Sequence, residues 1–120
     1  MQWRDDQPIY RQLYQRMVAS IVAGDIAPGE ALPSVRQVSA DYQINHLTVA
    51  KAYQALVDEQ LVEKRRGLGM FVCEGADEHL RERERDVFLQ QLPELVAQAK
   101  RLGMDKNTLV QAIKNLKEES

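Results

Sequence analysis

Two histidines, one cysteine and a closely spaced pair of glycines are the residues from which a catalytic or metal-binding site would have to be built. His46 and His79 stand 33 positions apart, with no second ligand at a zinc-like spacing. Cys73 has no partner for an internal disulfide and reads as a small, half-buried strand residue in a reducing compartment. Gly67 and Gly69 lack the third glycine and the following helix of a dinucleotide fingerprint, and no P-loop occurs elsewhere. The carboxylates lie among other charges, not among apolar residues that would shift their pKa. The pattern argues against an enzyme and calls for neither a metal nor a cofactor.

Residues 44–56, INHLTVAKAYQAL, carry a different chemistry. Asn45, His46 and Thr48 bring together an amide, an imidazole and a hydroxyl, and Lys51 follows about one helical turn later. Behind them Val49, Ala52, Tyr53 and Leu56 recur at the spacing of one helical face. A helix with a buried face and a polar N-terminal tip suits the major groove of B-DNA, where the first residues of a recognition helix reach base edges. Asn45, His46 and Thr48 would supply hydrogen bonds, Leu47 a contact to a thymine methyl, and Lys51 a contact to a phosphate or a guanine. Plainer roles compete: Asn45 as a helix cap alone, Leu47 as a packing residue, His46 as an incidental surface ring.

The elements around this tip follow from periodicity and turn chemistry. Residues 8–23 start with Pro8, and Tyr10, Leu13, Tyr14, Met17 and Ile21 mark one helical face. Gly24, Pro28, Gly29 and Pro33 punctuate a connector. A second helix begins at Ser34, which with Gln37 matches a capping box. Gln43 and Ile44 alone separate it from Asn45, so the second and third helices form a helix-turn-helix. Arg36 falls in the first turn of the second helix, where a guanidinium can clamp a phosphate; a surface pair with Asp41 is the alternative. Two short apolar strands are expected near Leu61–Lys64 and Met70–Cys73, with Gly67 and Gly69 in the turn. Lys64, Arg65 and Arg66 at that hairpin would reach a minor groove or its phosphates, or remain solvated. Three helices followed by a hairpin make a winged helix-turn-helix.

The formal charge of −2 conceals a distribution. Residues 1–73 hold eight Lys/Arg and eight Asp/Glu, whereas residues 74–120 hold eight and ten. Local charge is what a phosphate backbone meets, so the total does not exclude DNA. The apolar and charged fractions, 44% and 28%, are those of an ordinary soluble domain. No apolar run approaches the roughly 20 residues that span a bilayer. The N-terminus MQWRDDQP has no apolar segment of a secretory signal, so a cytoplasmic protein without membrane contact is expected. After Gly75 the chain turns charge-dense, and the RERER run at 81–85 reads as a solvated helix face. Phe88, Leu92, Leu95, Val96, Ala99 and Leu102 then step at helical spacing, with a kink or restart expected at Pro93 and a C-cap at Gly103. Asp105 opens a last helix with Leu109, Val110, Ile113 and Leu116 apolar.

Several of these pieces also form a pattern: PIY at 8–10, PG at 28–29, LPSVR at 32–36, N-x-x-TV at 45–49, AY at 52–53 and GLGMFV at 67–72. Over roughly residues 8–73 the chain resembles the DNA-binding domain of the GntR family of bacterial transcriptional regulators. Its short helical tail resembles the YtrA subfamily. The resemblance implies DNA contacts by Arg36, Asn45, His46, Thr48, Arg66 and Gly67. His46-Leu47 departs from the pairs usual after that Asn, and Gln60 stands where the family commonly has Gly after Glu59. In most members a large C-terminal domain binds an effector. The about 45 residues beyond the wing here are too few to enclose a typical pocket of about 300–1,000 Å³.

The expected architecture is therefore mainly α with a small β-hairpin. A winged helix-turn-helix occupies residues 1–75, and a two-helix dimerisation tail occupies residues 76–120. The tail would pair two copies through Phe88, Leu92, Leu95, Val96, Ala99, Leu102, Leu109 and Ile113. The expected function is a homodimeric, sequence-specific repressor on an inverted-repeat operator of double-stranded DNA. A metabolite sensor with its ligand between subunits, and a winged helix used for protein contacts, are the alternatives.

Overall fold

The computed structural model describes residues 3–118; residues 1–2 and 119–120, the outer ends of the two expected segments, lie outside the described residues. The first helix, α1 (Ile9–Ala23), buries Leu13, Met17, Val18 and Ile21 on one face. Tyr10 and Tyr14, expected on that face, are only half-buried at its edge. Gly24 ends the helix in a left-handed conformation, with Asp25 N–H bonded to Ser20 O at 2.9 Å. Gln12, a buried amide on α1, clamps the preceding segment: Arg4 N–H donates to its Oε1, and its Nε2 donates to Arg4 O, both at 2.7 Å. Burial of that amide is tolerated because its hydrogen bonds are made inside the protein.

Ser34 caps α2 (Val35–Tyr42) by accepting from Gln37 N–H at 3.0 Å. The return bond of the expected capping box is absent, because the Gln37 side chain stays exposed to water. Gln43 (φ 54°) turns the chain into α3 (His46–Asp58), which buries Val49, Ala52, Tyr53 and Leu56 against α1 and α2. Gln60 takes the left-handed conformation itself (φ 62°), and Leu61 N–H reaches Leu56 O at 3.0 Å.

The wing is an antiparallel hairpin of β1 (Val62–Arg65) and β2 (Gly69–Val72), in register Val62 with Val72 and Arg65 with Gly69. Both strands lie one residue from their expected positions. The connector contributes more than a link. Gly29 N–H bonds to Val72 O and Leu32 N–H to Met70 O, each at 2.8 Å, so residues 29–32 line the free edge of β2. Such pairing satisfies backbone groups that a bare loop would leave to water.

Beyond the wing the described residues form α4 (Ala76–Leu89), α5 (Leu92–Arg101) and α6 (Lys106–Lys114). The first of the two expected tail helices is thus two, because Pro93 sits at the start of α5, where its missing N–H costs nothing. The chain divides into two compact units, Met1–Glu82 and Arg83–Ser120. The first unit runs past Gly75 because Ala76 and Leu80 of α4 complete its core with Leu13, Ile21, Leu56 and Val72. Arg81 is not merely solvated: its guanidinium pairs with Asp77 and donates to Val22 O near the end of α1.

In the second unit α5 and α6 are in contact, and Gly103 reverses the chain between them, with Met104 N–H bonded to Ala99 O at 2.9 Å. Ala99 is buried. Val96 and Leu109 are half-buried, while Phe88, Leu92, Leu95, Leu102 and Ile113 remain exposed.

Candidate nucleic-acid interface

Asn45 sets the geometry of the α3 tip. Its Oδ1 accepts from Leu47 N–H at 2.7 Å, capping the helix and leaving both protons of the side-chain amide for another partner. The capping role and a contact role are therefore compatible. Leu47 is 79% exposed, so packing within the chain is not its function. Thr48 is half-buried beside it, and its backbone N–H returns to Asn45 O at 3.0 Å. The tip is rigid because the opposite face of α3 is part of the core, and because the Tyr53 hydroxyl donates to Pro33 O at 2.7 Å. That bond ties α3 to the residue preceding the α2 cap. Burial pushes the Tyr53 hydroxyl well above its ordinary pKa, so it stays protonated and keeps donating.

The turn between α2 and α3 is held by a residue that the sequence reading passes over. Ser39, buried in α2, donates its hydroxyl proton to Ile44 O, and its oxygen lies 3.4 Å from His46 Nδ1. A serine on the apolar side of a helix needs such a partner, and that is the signal by which it is found.

The cations divide into those held and those free. Arg36 is exposed in the first turn of α2 and makes no ion pair among the described residues, so the alternative pairing with Asp41 is not formed. Lys51 is drawn onto α1, its ammonium 4.1 Å from the centre of the Tyr10 ring. Nothing in the spacing of Tyr10 and Lys51 announces this contact, because it joins two helices. On the wing, Arg65 is bonded to Glu63 at 2.9 Å and lies over the Phe71 ring at 4.2 Å. Alternation along β1 places Glu63 and Arg65 on one side, a relation the sequence does contain. Lys64 and Arg66 have no such partner among the described residues. Gly67 (φ 76°) makes the reversal that an L-residue resists, and Leu68 at the tip is 72% exposed.

Free guanidinium groups, a polar helix tip and a basic hairpin tip together can bind phosphates and address base edges. They do not assemble a nucleophile with a base. Among the described residues no cluster of His, Cys, Asp and Glu is disposed to hold a metal ion, and no helix is long and apolar enough to cross a membrane. Cys73 is half-buried, and burial first, then Glu63, raise its thiol pKa, which disfavours the reactive thiolate.

Comparison with known proteins agrees with this geometry. Residues 9–72 match the model described as bacterial regulatory proteins, gntR family. The chain is 34% identical to the HTH-type transcriptional repressor YtrA of Bacillus subtilis (strain 168), over 94% of this chain and 87% of that protein. Its fold is similar to a GntR family transcriptional regulator from Listeria monocytogenes, with a TM-score of 0.73 and 26% identity over 96% of this chain and 100% of that one. The winged helix is also similar to AraR(DBD) in complex with operator ORX1, with a TM-score of 0.54 and 27% identity over 56% of this chain and 81% of that one.

Proposed function

The chain belongs to the gntR family of bacterial regulatory proteins, and from that premise we propose that it is a homodimeric, cytoplasmic repressor that reads an inverted-repeat operator with the tips of its two α3 helices. The observation that carries the reading is the α3 tip. One face of the helix is locked into the core, while the Asn45 amide protons, the His46 ring, the Leu47 side chain and Thr48 stand at its N-terminus with no carboxylate of the described residues engaging them. Arg36 and Arg66 supply phosphate contacts that fix register, and the tip supplies sequence. The likeness to a domain solved with operator DNA supports double-stranded DNA as the partner. No catalytic role is assigned.

The second unit supports the pairing of two copies. Leu102 (76%) and Phe88 (66%) are the most exposed members of the stripe, and a groove of about 680 Å³ between α5 and α6 is lined by Leu92, Val96, Leu109, Val110 and Ile113. A second copy of the unit is the occupant we assign to these surfaces. Each large side chain buried contributes about 1.5–3 kcal/mol before association costs. Two-fold symmetry then presents two α3 tips about one or two helical turns apart, roughly 10 or 20 bp.

Gel-shift titration of genomic fragments, with excess non-specific DNA as competitor, tests the function. A subset of fragments should be retained under competition; uniform displacement of every fragment would remove the repressor reading.

A further inference from the structure

The hydroxyl of Ser39 has one proton, and the Ile44 carbonyl that faces it can only accept. That proton is therefore committed, and the side of Oγ turned toward His46 offers lone pairs alone. At 3.4 Å the contact with His46 Nδ1 is long, but it can be a hydrogen bond in one sense only, with Nδ1–H donating. In a neutral imidazole the two nitrogens divide the roles, so a proton on Nδ1 leaves Nε2 as an acceptor. Nδ1 faces Ser39 at the α2–α3 turn, Nε2 is on the opposite side of the ring, and His46 as a residue is exposed.

We propose that Ser39 is a positioning residue that holds neutral His46 as its Nδ1–H tautomer, so that Nε2 selects a base edge carrying an amino donor. In the major groove those edges are adenine, through N6, and cytosine, through N4; guanine and the thymine carbonyl present only acceptors to the same atom. The inference rests on the reading of α3 as the DNA-reading helix, and adds which bases His46 accepts and which residue decides it. It requires nothing of the second unit. An imidazole without Ser39 is free to place its proton on either nitrogen, and then accepts or donates indifferently.

Two measurements on the full chain test this. In the first, ¹⁵N chemical shifts of the His46 ring in the free, neutral protein should show Nδ1 protonated and Nε2 bare, and Ser39→Ala should remove that bias. Finding Nε2–H in the wild type overturns the proposal whether or not DNA is bound. In the second, selection from randomised duplexes should yield a motif in which one base pair loses its preference in His46→Ala. Replacing that pair's adenine by purine, or its cytosine by 2-pyrimidinone, removes the amino donor and should weaken the wild type but not His46→Ala. The preference there should be at least about fivefold, the lower end for a single mismatched base pair. Ser39→Ala should flatten that one position and leave the rest of the motif intact. Wild-type affinity unchanged by loss of that amino group overturns the inference while sparing the function; the absence of any enriched motif overturns both. Should Ser39→Ala fail to fold, the wild-type ring shifts and the His46→Ala motif still decide.

Discussion

Arg36 and Arg66 are exposed and unpaired among the described residues, whereas Arg65 already holds Glu63 and Phe71. A guanidinium with no carboxylate to surrender is the better phosphate ligand. Arg36→Ala and Arg66→Ala are each expected to shallow the dependence of log K on log salt by about 0.9. Arg65→Ala should change it less, and a wild-type slope in either of the first two variants contradicts the phosphate role. Gln60 offers a test of stability at the same scale. A side chain in the left-handed region costs about 1–2 kcal/mol, part of which glycine returns through the greater entropy of its unfolded chain. Gln60→Gly should therefore stabilise the chain by about 1 kcal/mol, seen as a higher midpoint in urea with an unchanged m-value. Gln60 is legible in the sequence because the resemblance to the family marks glycine there. Gln43 (φ 54°) carries no such mark, and neither does the bond from Ser39 to Ile44, which depends on where a tight turn brings a carbonyl.

Elements with a strong period are legible in the sequence: α1, α2 and α3 lie where apolar spacing and caps place them, and both strands fall within one residue of expectation. The edge made by residues 29–32 was not legible, because its pairing with β2 joins distant segments and its own composition is that of a turn. Local signals were reliable again at α6. Asp105 caps that helix, accepting from the Thr108 N–H and hydroxyl, each at 2.8 Å. The Thr108 backbone bond, then its hydroxyl, holds the Asp105 carboxyl below the usual carboxylate range. A depressed folded-state pKa means that the cap's stabilisation is present above the ordinary aspartate value and is lost as pH falls through the lower folded value. The Thr108 amide resonance should report that titration. Asp105→Asn, which still caps, should abolish it; an amide unmoved by acid in the wild type would contradict the cap.

At the scale of the whole chain, the winged helix does not end at its wing. Leu80 is fully buried in the first unit, and removing a buried leucine typically costs about 2–5 kcal/mol. A chain stopped after Glu82 should fold cooperatively as a monomer, whereas one stopped after Gly75 should melt lower; equal melting temperatures would deny α4 its place in the core. The apolar steps after Gly75 were legible as a stripe, but the separate duties of Leu80, Ala99 and Phe88 were not, since spacing alone does not say which neighbour a helix meets. The central claim is that the α3 tip, and not charge alone, confers sequence preference. It is tested most directly by the ratio of affinities for a selected operator and a scrambled duplex at fixed salt, in the wild type and in the triple variant His46→Ala, Leu47→Ala, Thr48→Ala. The wild-type ratio should be at least about 10³, collapsing toward unity in the variant while affinity for the scrambled duplex is retained. A variant that keeps the wild-type ratio would contradict the claim.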